Sequence, residues 1–179
     1  MSKRQHLYLT GYRGTGKSTI AGRLGQQLQL PWTDLDDLIE ANAGKSIREI
    51  FSDGGEIAFR DLESIALKEV ASGPRSVIAL GGGAILREGN RQEVARSGVC
   101  FWLDADAETL LVRLRGDAST AQRRPSLTDL SELDEIRELL EVRRPLYQQA
   151  SDYRIDVSNL LPQQVVQQVL DQLSNASQG

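Results

Sequence analysis

The sequence predicts an α/β protein, a five-stranded and mainly parallel sheet covered by helices on both faces. Three observations predict it. Five short, β-rich apolar runs recur at 6–10, 31–34, 76–80, 99–103 and 153–157. Between them lie longer stretches with apolar residues at helical spacing. Strands that alternate with helices pair in parallel, because a parallel neighbour needs a crossover long enough to hold a helix. Finally, the first run leads straight into GYRGTGKS, Gly11 to Ser18. That stretch fits G-x-x-x-x-G-K-[ST], and the strand-to-helix context is the one in which such a loop cradles phosphate.

The elements follow in order. After HLYLT, glycines 11, 14 and 16 allow successive backbone N–H groups to turn inward onto phosphate oxygens, and a helix opens near Lys17. Its positive end adds to the attraction for phosphate. Lys17 can reach the β- and γ-phosphates, and the Ser18 hydroxyl can ligate Mg²⁺. Gly14, Thr15, Gly16, Lys17, Ser18 and Thr19 are the candidate triphosphate contacts. Ile20, Leu24 and Leu28 fall at i, i+4 and i+8 and face the sheet. The second run ends in WTDLDDLIE. If the strand persists there, Asp34 and Asp36 project to one side, because strand side chains alternate. One of the two carboxylates can then serve Mg²⁺, and the other can orient an acceptor hydroxyl and take its proton. Asp37 is expected to cap a helix starting at Leu38.

In IREIFSDGGEIAFRDLESIAL, Arg60 and Glu63 are three residues apart on a helix and can pair. The pair can be a solvated ornament, or it can hold the Arg60 fork towards a ligand carboxylate. The third run ends in Gly81, Gly82 and Gly83, which suits a backbone closely approached by a ligand. The polar segment 116–128, GDASTAQRRPSLT, has the composition and length of an active-site lid. Arg143 and Arg144 precede Pro145 at the expected end of a helix. Val165, Val166, Val169, Leu170 and Leu173 form a last apolar stripe.

Composition narrows the function class. Net charge is −4, with 40% hydrophobic and 26% charged residues. The overall field therefore gives no reason to expect nucleic acid or an anionic membrane as partner. Cys100 is the single cysteine and lies in the apolar run GVCFWL, as a buried thiol does. MSKRQHLYLT enters a strand with no apolar leader, and no segment approaches the ~20 apolar residues of a membrane span. The expectation is a cytoplasmic protein of one domain.

Taken together, WTDLDDLIE, the GKSIREIF–GE–FR–LE segment, LGGGA, the R-P of the lid and R-P-L-Y resemble the shikimate kinases. The likeness runs from about residue 7 to residue 156. It implies a nucleoside monophosphate kinase-like sheet with a mobile lid (about 114–128), a substrate-binding helical segment (about 35–64) and a monomer. It also implies phosphoryl transfer from ATP with Mg²⁺ to the 3-hydroxyl of shikimate. By the same resemblance Asp36 contacts the shikimate hydroxyls and Asp34 lies near Mg²⁺. Arg60 and Arg143 bind the shikimate carboxylate, with Gly81, Gly82 and Gly83 beside the ring. Arg113 lies near adenine, and Arg124 of the lid reaches the transferring phosphate. Arg123 and Arg144 are neighbours that compete for the last roles of Arg124 and Arg143. The nearest rival is another small-molecule kinase, such as a gluconate kinase. Arg60, the three glycines and R-P-L-Y argue against it.

Overall fold

Alternating pleats make every strand of this chain two-sided, and the three central runs bury large side chains on both sides, so both faces of the sheet must be covered. The computed structural model describes residues 6–116 and 131–176. The strands are β1 (His6–Thr10), β2 (Trp32–Asp34), β3 (Val77–Ala79), β4 (Gly98–Asp104) and β5 (Tyr153–Asp156). All pair in parallel, in the order β2-β3-β1-β4-β5. The five runs read from the sequence thus become strands, within a residue or two at their ends.

The helices are α1 (Lys17–Leu28), α2 (Leu35–Ala43), α3 (Ile47–Ala71), α4 (Glu88–Ser97), α5 (Ala107–Gly116), α6 (Glu132–Ala150) and α7 (Pro162–Ala176), with a 3-10 turn at Ala84–Leu86. One face of the sheet presents Leu7, Leu9, Val77, Ala79, Phe101 and Leu103 to α1, α5 and α7. The other presents Tyr8, Ile78, Leu80, Cys100 and Trp102 to α2, α3 and α4. Strict alternation along β1 and β4 produces this division. Helix α6 serves both cores, with Ile136 and Leu140 in the first and Tyr147 and Ala150 in the second. Cys100 is fully buried, and burial pushes its thiol pKa far up, so it packs as a hydrophobe.

Several helix starts are set locally by side-chain caps, among them those of α3 and α2. Ser46 and Glu49 form a reciprocal capping box at α3. Asp34 caps α2, its Oδ1 accepting from the Asp36 N–H at 2.9 Å. That second cap corrects two expectations. The strand ends at Asp34 instead of running on through Asp36, and the helix starts at Leu35 instead of Leu38, with Asp34 rather than Asp37 as its cap. Once Asp34 binds the N–H two residues on, the backbone is committed to a helical turn, and strand alternation no longer applies.

A third expectation also fails. Pro145 does not mark a helix end, because α6 continues through it to Ala150. Proline costs the helix one N–H bond and crowds the carbonyl four residues back, a local penalty that packing can outweigh. The buried side chains of Tyr147 and Ala150 beyond it keep the helix docked. Among the described residues, no helix is long and apolar enough to cross a membrane.

Candidate active site

Parallel strands bring their carboxyl ends to one edge of the sheet. Pairing sets Leu9 level with Ala79, and Ala79 level with Asp34. The loop after β1, the cap after β2 and the glycines after β3 therefore meet at that edge. The chain leaves β1 towards β2 on one side, and later crosses from β3 to β4 on the other. Ligands of open α/β sheets bind beside such a reversal.

The phosphate loop is built as its composition requires. Gly11, Gly14 and Gly16 have φ of 143°, 86° and 88°. A side chain at Gly11 would also overlap the Leu103 carbonyl. Thr15 Oγ1 donates to the Tyr12 carbonyl at 2.9 Å. Lys17 Nζ donates to the carbonyls of Gly11 and Tyr12, both at 2.9 Å, which holds the ammonium over the loop. Thr19 is exposed in the first turn of α1. Ser18 Oγ donates to Asp34 Oδ2 in a short contact. Two oxygen donors from different elements thus adjoin at the mouth of the loop. Asp36 sits half-buried in the first turn of α2.

Arg60 is held beside the glycines that follow β3. Its Nη1 lies 2.8 Å from Glu63 Oε2, and its Nε and Nη2 lie 3.2 and 3.1 Å from Glu56 Oε1. Arg60 is 7% exposed and Glu63 fully buried, so this is no solvated ornament. Burial alone would lower the Arg60 pKa, but the charges and hydrogen bonds of Glu63 and Glu56 outweigh it and raise it. The guanidinium lies against Gly83, where a methyl group would overlap it. Gly82 packs against the backbone of Gly11, Tyr12 and Arg13, and its carbonyl accepts from the Tyr147 hydroxyl at 2.5 Å. Gly81 lies buried before the 3-10 turn and accepts from the Ala84 N–H at 3.0 Å.

Arg143 and Arg144 diverge. Arg143 is buried, with its guanidinium carbon 5.7 Å from the centre of the Tyr12 ring in the phosphate loop. Arg144 turns away to Asp104 Oδ1 at 3.4 Å, beside Arg154 on Asp104 Oδ2 at 2.6 Å. Consecutive helical residues differ by about 100° in direction, so only one could face the loop. Arg113 Nη2 donates to the Val157 carbonyl at 2.7 Å, next to the turn from β5 into α7. Arg123, Arg124 and most of the segment 114–128 lie outside the described residues.

Sequence reading missed Glu56, Tyr12, Tyr147 and Glu135. Glu56 lies four residues before Arg60, a spacing that signals an ion pair. The others meet their partners only across the fold.

A phosphate loop at the topological switch, faced by a walled-in arginine and a glycine-lined backbone, defines a P-loop kinase of small molecules. Comparison with known proteins agrees. A family model described as shikimate kinase matches residues 13–174. The shikimate kinase of Rhodopirellula baltica is 56% identical over 168 residues, which cover 94% of this chain and 90% of that one. The chain belongs to the shikimate kinase family. A solved shikimate kinase of Acinetobacter baumannii, in complex with shikimate, superimposes with a TM-score of 0.89 at 32% identity, covering 97% of this chain and 96% of that one. A gluconokinase of Sinorhizobium meliloti, at 12% identity and TM-score 0.61 over 99% and 96% of the chains, shares the fold alone.

Proposed function

We propose that the chain transfers the γ-phosphoryl group of ATP to the 3-hydroxyl of shikimate, giving shikimate 3-phosphate and ADP in aromatic biosynthesis, with the following division of labour. The observation that carries it is the Arg60 fork. It is buried and pressed onto Gly83, and it already receives a carboxylate, that of Glu56, through Nε and Nη2. A planar guanidinium so presented suits the carboxylate of a small acid. Arg143, on the helix whose Tyr147 reaches Gly82, is the second half of the clamp. Gly81, Gly82 and Gly83 set their backbone beside the acceptor ring, and the bare Gly83 lets the Arg60 fork lie close against that backbone.

On the donor side, the N–H groups of Gly14 to Thr19 cradle the triphosphate, and Lys17 moves from loop carbonyls to phosphate oxygens. Arg113 borders the adenine, and Arg124 reaches the transferring phosphate. Asp36 orients the acceptor hydroxyl and takes its proton. The adjoining oxygens of Ser18 and Asp34 fit a small hard cation that takes most of its shell from phosphate and water. Mg²⁺ held by these two oxygens would supply neutralisation of charge on the transferring group. We read residues 1–179 as one domain, a monomer in the cytoplasm acting on a small molecule, with no nucleic acid or membrane partner.

The test is coupled ADP release with shikimate, gluconate and nucleoside monophosphates offered separately. Turnover is expected with shikimate; turnover of gluconate without shikimate would overturn the reading. Asp36→Asn should lower kcat with shikimate by at least about a hundredfold, the usual worth of a positioned base. An unchanged kcat would remove Asp36 from the chemistry.

A further inference from the structure

The phosphate loop carries two side chains that its phosphate chemistry does not use. Tyr12 is 2% exposed, so it is a core residue, and Arg13 is partly buried. Both turn towards α6. The guanidinium carbons of Arg13 and Arg143 lie 5.8 and 5.7 Å from the centre of the same Tyr12 ring. Arg13 Nη2 also lies 3.5 Å from Oε1 of Glu135, a carboxylate only 4% exposed in the first turn of α6. From Glu135 to Tyr147 the helix rises about 18 Å. At that far end the Tyr147 hydroxyl binds the Gly82 carbonyl. Helix α6 is thus fastened to the donor loop and its glycine neighbour at both ends and in the middle. These polar contacts add to the docking of its apolar residues, which are divided between the two cores.

We infer that Tyr12, Arg13 and Glu135 are positioning residues for the acceptor: the variable side chains of the phosphate loop fix the face of α6 that carries Arg143. The loop's glycines, Thr15, Lys17 and Ser18 serve the donor, while the side chains of Tyr12 and Arg13 set the affinity for the acceptor carboxylate. This rests on the reading of Arg143 as a clamp residue. The buried Glu135 carboxylate gains from Arg13 and from the positive start of α6. Removing Arg13 weakens that hold and lets the first turn of α6 shift, and Arg143 lies two turns further along the same helix. A shift of about 1 Å in a positioning group is enough to be read kinetically.

The experiment is steady-state kinetics of the full chain carrying Arg13→Gln, Arg13→Lys, Glu135→Gln, the double variant Arg13→Gln with Glu135→Gln, and Arg143→Ala as reference. Arg13→Gln and Glu135→Gln should each raise KM for shikimate about two- to thirtyfold, the range of coupling through a packed network. KM for ATP should stay within about twofold, since the donor contacts are untouched. Arg13→Lys should recover much of the loss, and the two single effects should not add in the double variant. A general loss of packing would move both KM values together and would not be rescued. The inference is overturned if KM for ATP rises as much as KM for shikimate, or if neither changes while Arg143→Ala does raise KM for shikimate. If Arg143→Ala leaves KM for shikimate unchanged, the clamp reading fails and this inference with it. Should Glu135→Gln not fold, Arg13→Gln and Arg13→Lys, on a partly exposed side chain, decide the matter.

Discussion

Gly83 is a glycine because Arg60 occupies the space its side chain would need. The Arg60 guanidinium cannot easily yield, being held by Glu63 on one side and Glu56 on the other. Gly83→Ala should therefore displace the fork and raise KM for shikimate by roughly tenfold or more, while KM for ATP holds. Initial-rate measurements with each substrate varied would check this, and an unaltered shikimate KM would show that Arg60 relocates freely. The sequence signalled the glycines as a backbone under close approach. It did not reveal that the approaching group is a side chain of this same chain, 23 residues earlier. Asp34 is the reverse case. Its place beside Ser18 was legible, yet the reason given for it, strand alternation, was wrong. A side chain that can accept from the backbone two residues on ends a strand, and a two-residue periodicity takes no account of that competition.

At the scale of elements, α6 departs most from its reading. Pro145 and the two arginines before it suggested an ending, and the helix runs five residues further. Local propensity lost to tertiary packing, since Tyr147 is fully buried and stacks on Trp102 at 5.8 Å between ring centres. The Tyr147 hydroxyl joins α6 to the loop after β3. Tyr147→Phe keeps the stacking and leaves a buried carbonyl without that donor. It should cost about 1–2 kcal/mol of stability, read as a lower urea midpoint at unchanged slope. A midpoint equal to that of the parent would mean that another donor takes over Gly82. By contrast α1, with its stripe of Ile20, Leu24 and Leu28, and α7, with Val165, Val166 and Val169, formed where periodicity placed them. Each faces a single core, and a single apolar face is what periodicity detects.

At the scale of the whole molecule, the sheet order decides what meets what. It also buries the only histidine. His6 opens β1 with no exposed surface, its Nδ1 3.2 Å from Ser76 Oγ. Burial lowers its pKa below the ordinary 6.5, against a raising hydrogen bond with the backbone at Ala71. The native state thus resists a proton that the unfolded chain accepts. The contribution of His6 is fully present above about pH 6.5 and declines as pH falls below it, at no more than about 1.4 kcal/mol per pH unit. Urea unfolding at about pH 7.5 and about pH 5.5 should show a larger loss for the parent than for His6→Gln, in which no proton can bind. Equal losses would place the acid sensitivity elsewhere.

By itself the sequence determined the elements that depend on neighbours along the chain. These are five strands from runs of apolar β-formers, a phosphate loop from the spacing of three glycines, Lys17 and Ser18, and a cluster of motifs specific enough to point to the family. Only the tertiary structure decided which of Arg143 and Arg144 turns to the phosphate loop, what Arg13 touches, and why Gly83 has no side chain. The physical reason is range. Dihedral preference and periodicity act over a few residues, whereas Arg13 meets Glu135 and Tyr147 meets Gly82 only after a parallel sheet has brought segments more than 60 residues apart to one edge.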